Sequence, residues 1–282
     1  MQLNSYRLIL LLTLGVGACT DAVNSSQRAL VFSPQTQTVT IEVDYQEGAE
    51  PIITRDTIFS QRANTWEDIV RPNIEAMLAE DPKELALPTA LDGMEKLAPS
   101  SQESYTVDDI LKLAEQHRGL LGDEQNATYY VLFLNGFFQK NGEANPTTLG
   151  VNLGDTGVIA MFSPVIKSSD APSFVEATTI VHELGHAIGL VATGLPPVDD
   201  HHDSDNGAHC TNTDCVMYFR NEGRDAARDF LRRIRDEGTG IVFGDECLED
   251  IRIATRCLAD QPNDLSASQV AGVLEECAAA AR

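Results

Sequence analysis

Two histidines four positions apart, with a glutamate directly after the first and a glycine three residues after the second, constrain this chain more than any other feature: His182-Glu183-Leu184-Gly185-His186-Ala187-Ile188-Gly189. At 3.6 residues per turn, positions i and i+4 sit one above the other, so on a helix both imidazoles reach one ion while Glu183 points beside it. The pair suits Zn2+, which takes nitrogen ligands and, in hydrolytic sites, keeps three protein ligands and one position open to water. A carboxylate next to that water is the general base such a site needs. Five of the six histidines (His182, His186, His201, His202, His209) fall in this one region, and only His117 lies elsewhere. Incidental histidines would not gather in this way. One catalytic zinc is therefore expected, with His182 and His186 as ligands and Glu183 as base.

The helix carrying them has its own start and stop signals. Ser173 and Glu176, three apart behind Pro172, read as a capping box, and Gly189 as the terminator. Ala177, Val181, Leu184 and Ile188 form a core-facing stripe, which leaves both histidines toward a cleft.

The rest of the chain supplies the frame. Its 282 residues suffice for one large or two small domains. With 43 acidic against 20 basic residues the formal net charge is −23, which argues against nucleic acid and anionic membrane surfaces as partners. Residues 39–45 alternate apolar and polar as a half-buried strand does, so folding is expected to begin near Thr38. Residues 66–79 have helical spacing broken by Pro72 and predict two pieces. Residues 81–104 read as mostly loop. Thr106 with Asp109 predicts a capped amphipathic helix over 106–117, ending at a non-ligand His117. Strands are predicted at 129–138, 147–153 and 157–162, the first continuously apolar and so buried on both faces. Ala227, Phe230, Leu231 and Ile234 predict a further helix, and Ser266 with Gln269 caps a last one. The acidic run Asp199, Asp200, Asp203, Asp205 lacks the spacing of a calcium loop and reads as solvated.

At the N-terminus Arg7, the apolar run 8–14 and Val16-Gly17-Ala18 form an export signal too short to span a bilayer. Val16-Gly17-Ala18-Cys19 resembles the bacterial lipobox, which implies removal of residues 1–18 and a lipidated Cys19 holding the protein on a membrane outside the cytoplasm. Residues 19–37, polar and aperiodic, read as a flexible tether. Five thiols then remain, Cys210, Cys215, Cys247, Cys257 and Cys277; in an oxidising compartment they should pair and leave one over.

From His182 through Gly189 to His209-Cys210-x4-Cys215-Val216-Met217, the sequence resembles the metzincin zinc peptidases, most closely the archaemetzincins. The resemblance implies His209 as third zinc ligand, Met217 as the methionine of a turn beneath the metal, and a peptide or protein substrate laid along the strand before the active helix, here 157–162. It also implies an α+β fold, a mixed twisted sheet packed on the active-site helix with a mainly helical C-terminal part. The catalytic domain would run over 38–282, divided at about residue 190. The chain departs from the family in two places. Ala192 stands where the third histidine is expected, so that His209 arrives after an insertion and His201 competes with it for the ion; and no Cys-x-x-Cys follows to help bind a second zinc. Cys210 and Cys215 are accordingly expected to form a disulfide. The competing reading is a non-catalytic module that holds zinc for binding another envelope protein.

Overall fold

The computed structural model describes residues 28–53, 64–219, 240–261 and 267–282. The export signal, Cys19, the helix expected around Phe230 and the Ser266 cap lie outside the described residues.

Strand β1 (Thr38–Gln46) and strand β5 (Asn126–Leu134) form the middle of the structure. They pair in parallel from Thr38 opposite Asn126 to Tyr45 opposite Phe133. The uninterrupted apolar run of β5 is buried on both faces, as its composition requires: Val131, Leu132, Phe133 and Leu134 are fully shielded. Each such side chain contributes about 1.5–3 kcal/mol of apolar burial. Short strands β2 (Glu84–Ala86) and β3 (Glu95–Leu97) extend β1 on its other side, both parallel to it. The loop expected over 81–104 thus contains two edge strands, each of three residues and too short to show a period. A separate small sheet joins β4 (Ser104–Tyr105), β6 (Phe137–Lys140) and β7 (Glu143–Asn145) in the order β4-β6-β7.

Beyond β5 lie β8 (Gly150–Asn152) and β9 (Val158–Phe162), and the main sheet runs β2-β1-β5-β9-β8. Strand β9 is parallel to β5 and antiparallel to β8, so the sheet is mixed and the fold α+β, as expected. Because β9 is hydrogen-bonded on both sides, it has no edge to offer an extended ligand. The expectation that residues 157–162 receive a substrate strand is corrected: among the described residues the edge beside the active helix belongs to β8.

Of the helices, α1 (Arg28–Val31) precedes β1, and Val31 and Phe32 are buried, so the folded part already includes residues ahead of Thr38. A π-helical turn (Trp66–Val70) continues into α2 (Arg71–Met77) with Pro72 in its first turn, which gives the two pieces that the proline demanded. Helix α3 (Val107–His117) starts with the predicted capping box: Asp109 N–H donates to Thr106 Oγ1 at 3.1 Å, and Thr106 N–H to Asp109 Oδ2 at 3.0 Å. Helix α4 (Ser163–Lys167) leads into α5 (Pro172–Ile188), which packs on β8, β9 and the π-helical turn. At the C-terminus α6 (Asp245–Ala259) packs on α2 and on α7 (Ala267–Ala281), and the disulfide Cys257–Cys277 joins the last two helices.

The capping box expected at the start of α5 does not form. The helix begins at Pro172 behind Ala171 with no side-chain cap, because Ser173 is already inside the first turn. Proline tolerates that position, having no N–H to satisfy. Glu176 turns inward instead, accepting the Ile52 N–H at 2.8 and 3.0 Å and Trp66 Nε1–H at 3.1 Å. Burial raises its carboxyl to about 8, against the pull of those donors.

Candidate metal centre

Helix α5 ends where the sequence says it should. Gly189 has φ +101°, and the Leu190 N–H reaches back to the Gly185 carbonyl at 2.9 Å, the closing bond of a left-handed terminator. A Cβ at Gly189 would lie 3.0 Å from Leu195 N, so the return of the chain across the helix end also requires glycine.

One turn earlier, His182 and His186 face each other, Nε2 to Nε2 at 3.1 Å. His209 joins them, its ring centre 5.4 Å from that of His182 and 5.5 Å from that of His186. The three ligand nitrogens lie within 4.8 Å of one another, a group able to hold a metal ion. Backbone carbonyls set two of the rings: His182 Nδ1–H donates to Val216 O at 2.8 Å, and His209 Nδ1–H to Asn206 O at 2.7 Å. With Nδ1 carrying the proton, Nε2 is left as the lone-pair donor a metal needs. Asp203 accepts from Asn206 Nδ2 at 2.7 Å in the loop that leads to His209.

Met217 lies directly beneath this turn. A Cβ on Gly185 would run into Met217 Sδ and would approach Phe243 Cε1 to 3.2 Å, so the methionine and the helix touch only because residue 185 has no side chain. Glu183 is buried beside the histidines, on the flank where β8 meets α5. At Gly150 a Cβ would come within 3.1 Å of Glu183 Cγ and 2.9 Å of Thr179 Cγ2, which shows how closely that edge strand lies on the helix. A cavity of about 310 Å³ opens there, lined by His182, Glu183, Thr179 and Gly150 on one side and Phe138, Lys140 and Asn145 on the other.

His201 is in a different place. Its Nε2–H donates to Asp250 Oδ2 at 2.8 Å, and its Nδ1 faces Cys210 Sγ at 3.3 Å. His209 stands with the helical pair, whereas His201 forms with Cys210 and Cys247 a second group whose ligand atoms lie within 4.8 Å. The histidine triad therefore has no fourth protein ligand from His201.

The expected Cys210–Cys215 disulfide does not form, and Cys210, Cys215 and Cys247 are buried thiols outside any disulfide among the described residues. The turn between Cys210 and Cys215 aims both sulfurs toward Cys247, with Cys215 Sγ 3.6 Å from Cys247 Sγ, while backbone N–H groups occupy the sulfur lone pairs. Hydrogen bonds from Cys215 and Cys247 push the Cys210 thiol far below its ordinary value. The same bonds push Cys215 up to about 12 and raise Cys247 as well. Burial opposes a charged His201, but the bonds to Asp250 and Cys210 outweigh it and lift the imidazole to about 10. The meeting of Asp250 and Cys247 with His201 escaped the sequence reading because both sit on α6, far along the chain with no motif spacing to mark them.

No protein-family model matches the chain, and no curated protein or solved structure is similar to it by comparison.

Proposed function

We propose that the chain is a zinc-dependent peptidase of metzincin-like fold, with His182, His186 and His209 holding the ion and Glu183 as general base. The observation that carries the reading is the convergence of three imidazoles on one point beside a buried glutamate, while His201 is held elsewhere by Asp250. Three nitrogens with one position open fit hydrolytic rather than structural zinc. When bound, zinc supplies Lewis acidity toward the scissile carbonyl and a nucleophilic water near neutral pH. Glu183 takes the proton of the attacking water and returns it to the leaving nitrogen. The carbonyls of Val216 and Asn206 hold two rings in the tautomer that keeps Nε2 inward. An extended peptide adds along the open edge of β8, and one side chain enters the cavity between Glu183 and Lys140.

In the same reading the protein is exported and tethered through a lipidated Cys19, which places the substrates, peptides or proteins, outside the cytoplasm. Among the described residues no helix is long and apolar enough to cross a membrane. Zinc content and cleavage of an unfolded protein, measured on wild type and Glu183→Ala, decide the matter. Retention of zinc by both with cutting by wild type alone supports the peptidase. Failure of both to cut a broad peptide set, with zinc still bound, replaces it with a zinc-holding binding module.

A further inference from the structure

The cavity beside Glu183 has a charged residue on the wall opposite the helix, and no motif in the sequence marks it. Strands β6 and β7 form a hairpin closed by Asn141 and Gly142, whose φ values of 56° and 84° are those of a two-residue type I′ turn. That turn sets Phe138 opposite Asn145 and Lys140 opposite Glu143. Residues opposite each other, and residues two apart along a strand, share a face, so all four side chains stand on one side of the hairpin. Phe138, Lys140 and Asn145 of that face line the cavity, and Glu143 does not.

What this wall offers a ligand is hydrogen-bond donors. Lys140 is the only lysine or arginine among the lining residues; it is exposed and forms no ion pair among the described residues. Asn145 Oδ1 already accepts the Thr147 N–H at 2.9 Å and the Thr147 hydroxyl at 2.8 Å, so the group it has left to offer is its Nδ2 amide, a donor. An ammonium and an amide on one wall match a carboxylate, which only accepts. The opposite wall carries Glu183. A basic side chain entering the cavity would pair with Glu183 and occupy the base that the reaction needs, and Lys140 repels it. The formal charge of −23 opposes an acidic ligand at long range, but that field is screened beyond about 10 Å at 0.1 M salt, so the ammonium in the cavity decides.

On the reading of the site as a peptidase, we propose that this cavity is a specificity pocket for a carboxylate of the substrate, held by Lys140 with Asn145. The carboxylate is presented close to the scissile bond, either by an acidic side chain or by the C-terminus of the peptide, and its chemistry at Lys140 is the same in both.

A peptide library varied at each position around the cleaved bond, made with free and with amidated C-termini, tests this on the full-length chain. Wild type is expected to cut peptides that place a carboxylate in the pocket about 10–100-fold more efficiently than those that place Lys or Ala there, a preference that shrinks as salt is raised. Lys140→Met removes the preference and Lys140→Glu turns it toward Lys. Asn145→Asp, which keeps the acceptor for Thr147, weakens it. A preference that persists in amidated peptides assigns the carboxylate to a side chain, and one restricted to free ends assigns it to the C-terminus. Calorimetric binding of the same peptides to Glu183→Ala reads the pocket without turnover and should give the same order, reversed by adding Lys140→Glu. Cleavage with no preference for a carboxylate, or with one that survives Lys140→Glu, overturns the pocket and leaves the peptidase standing. Failure to cut any peptide overturns the peptidase, and the binding order alone then decides the pocket: equal binding of acidic and basic peptides overturns it too.

Discussion

Gly185 lies between the two helical ligands, and Gly185→Ala separates helix propensity from the packing that the metal centre needs. In an open helix interior, glycine to alanine stabilises by about 1 kcal/mol. At Gly185 the added Cβ would collide with Met217 Sδ and crowd Met217 Cε at 3.1 Å and Phe243 Cε1 at 3.2 Å. Overpacking of a filled site costs about 1–3 kcal/mol, so the two effects sum to a net loss of up to about 2 kcal/mol. At about 2–4 °C per kcal/mol for a chain of this size, Tm falls by up to about 8 °C. Met217 must give way, and it adjoins Val216, whose carbonyl orients His182 at 2.8 Å. Zinc affinity at the triad should therefore fall by about 10–100-fold, as when an outer partner of a metal ligand is lost. Gly272 provides the control: it lies within α7 with nothing within 4 Å of an added Cβ, so Gly272→Ala should stabilise by up to about 1 kcal/mol. Calorimetric unfolding and competitive chelator titration on both variants give the comparison. If Gly185→Ala stabilises as much as Gly272→Ala and binds zinc like wild type, the inferred contact between Met217 and the helix is not what holds the ligands.

Three further outcomes follow from buried or local interactions. Glu176 has its carboxyl raised from 4.5 to about 8 by burial, so the folded chain keeps a proton that the unfolded chain releases. Its contribution is fully present below pH about 4.5 and is lost as pH rises through about 8; Glu176→Gln should flatten that slope, by at most about 5 kcal/mol, in denaturant midpoints measured from pH 5 to 8. Thr106→Ala removes the hydroxyl that accepts the Asp109 N–H and donates to Asp109 Oδ2, leaves the backbone bond from Thr106 N–H to Asp109, and should cost about 0.5–2 kcal/mol, read as a shift in denaturant midpoint at unchanged slope. Cys257→Ser/Cys277→Ser opens a crosslink with a sequence separation of 20 and should cost about 3 kcal/mol in the unit formed by α6 and α7, read by hydrogen exchange.

What the sequence disclosed follows the range of the forces involved. The α5 terminator, the two-piece helix around Pro72 and the Thr106 cap depend on neighbours within a few residues and formed as their local chemistry dictates, while the apolar run of β5 announced its own burial between β1 and β9. The short strands at Glu84–Ala86 and Glu95–Leu97 are held by β1 rather than by their own pattern. Glu176 looked like a capping residue because Ser173 stands three before it, but its partners Ile52 and Trp66 are 124 and 110 residues away. At the candidate metal centre the approach of His182 to His186 was legible from helical geometry, and the arrival of His209 beside them from the cysteines and methionine that follow it. The pairing of cysteines was misjudged, since sequence separation says nothing of Asp250 and Cys247 arriving on α6.

Whether a residue serves the first or the second group is decided by one short extended segment. Cys210 bridges His202 on one side and Tyr218 on the other, with its N–H on the Met217 carbonyl at 2.8 Å. In extended backbone, successive side chains point to opposite faces. His209 therefore reaches the helical histidines while Cys210, the next residue, reaches His201, and neither can exchange roles without moving the other. The turn that leads into Tyr218 carries Cys215, Val216 and Met217: Cys215 turns to the sulfur cluster, the Val216 carbonyl holds His182, and Met217 lies against Gly185. The two ligand groups thus share one backbone scaffold, and the long insertion after Gly189 is what brings His201 to the far face of it. An insertion that seemed to put the third ligand in doubt is better understood as the element that keeps a fourth one out of the histidine triad.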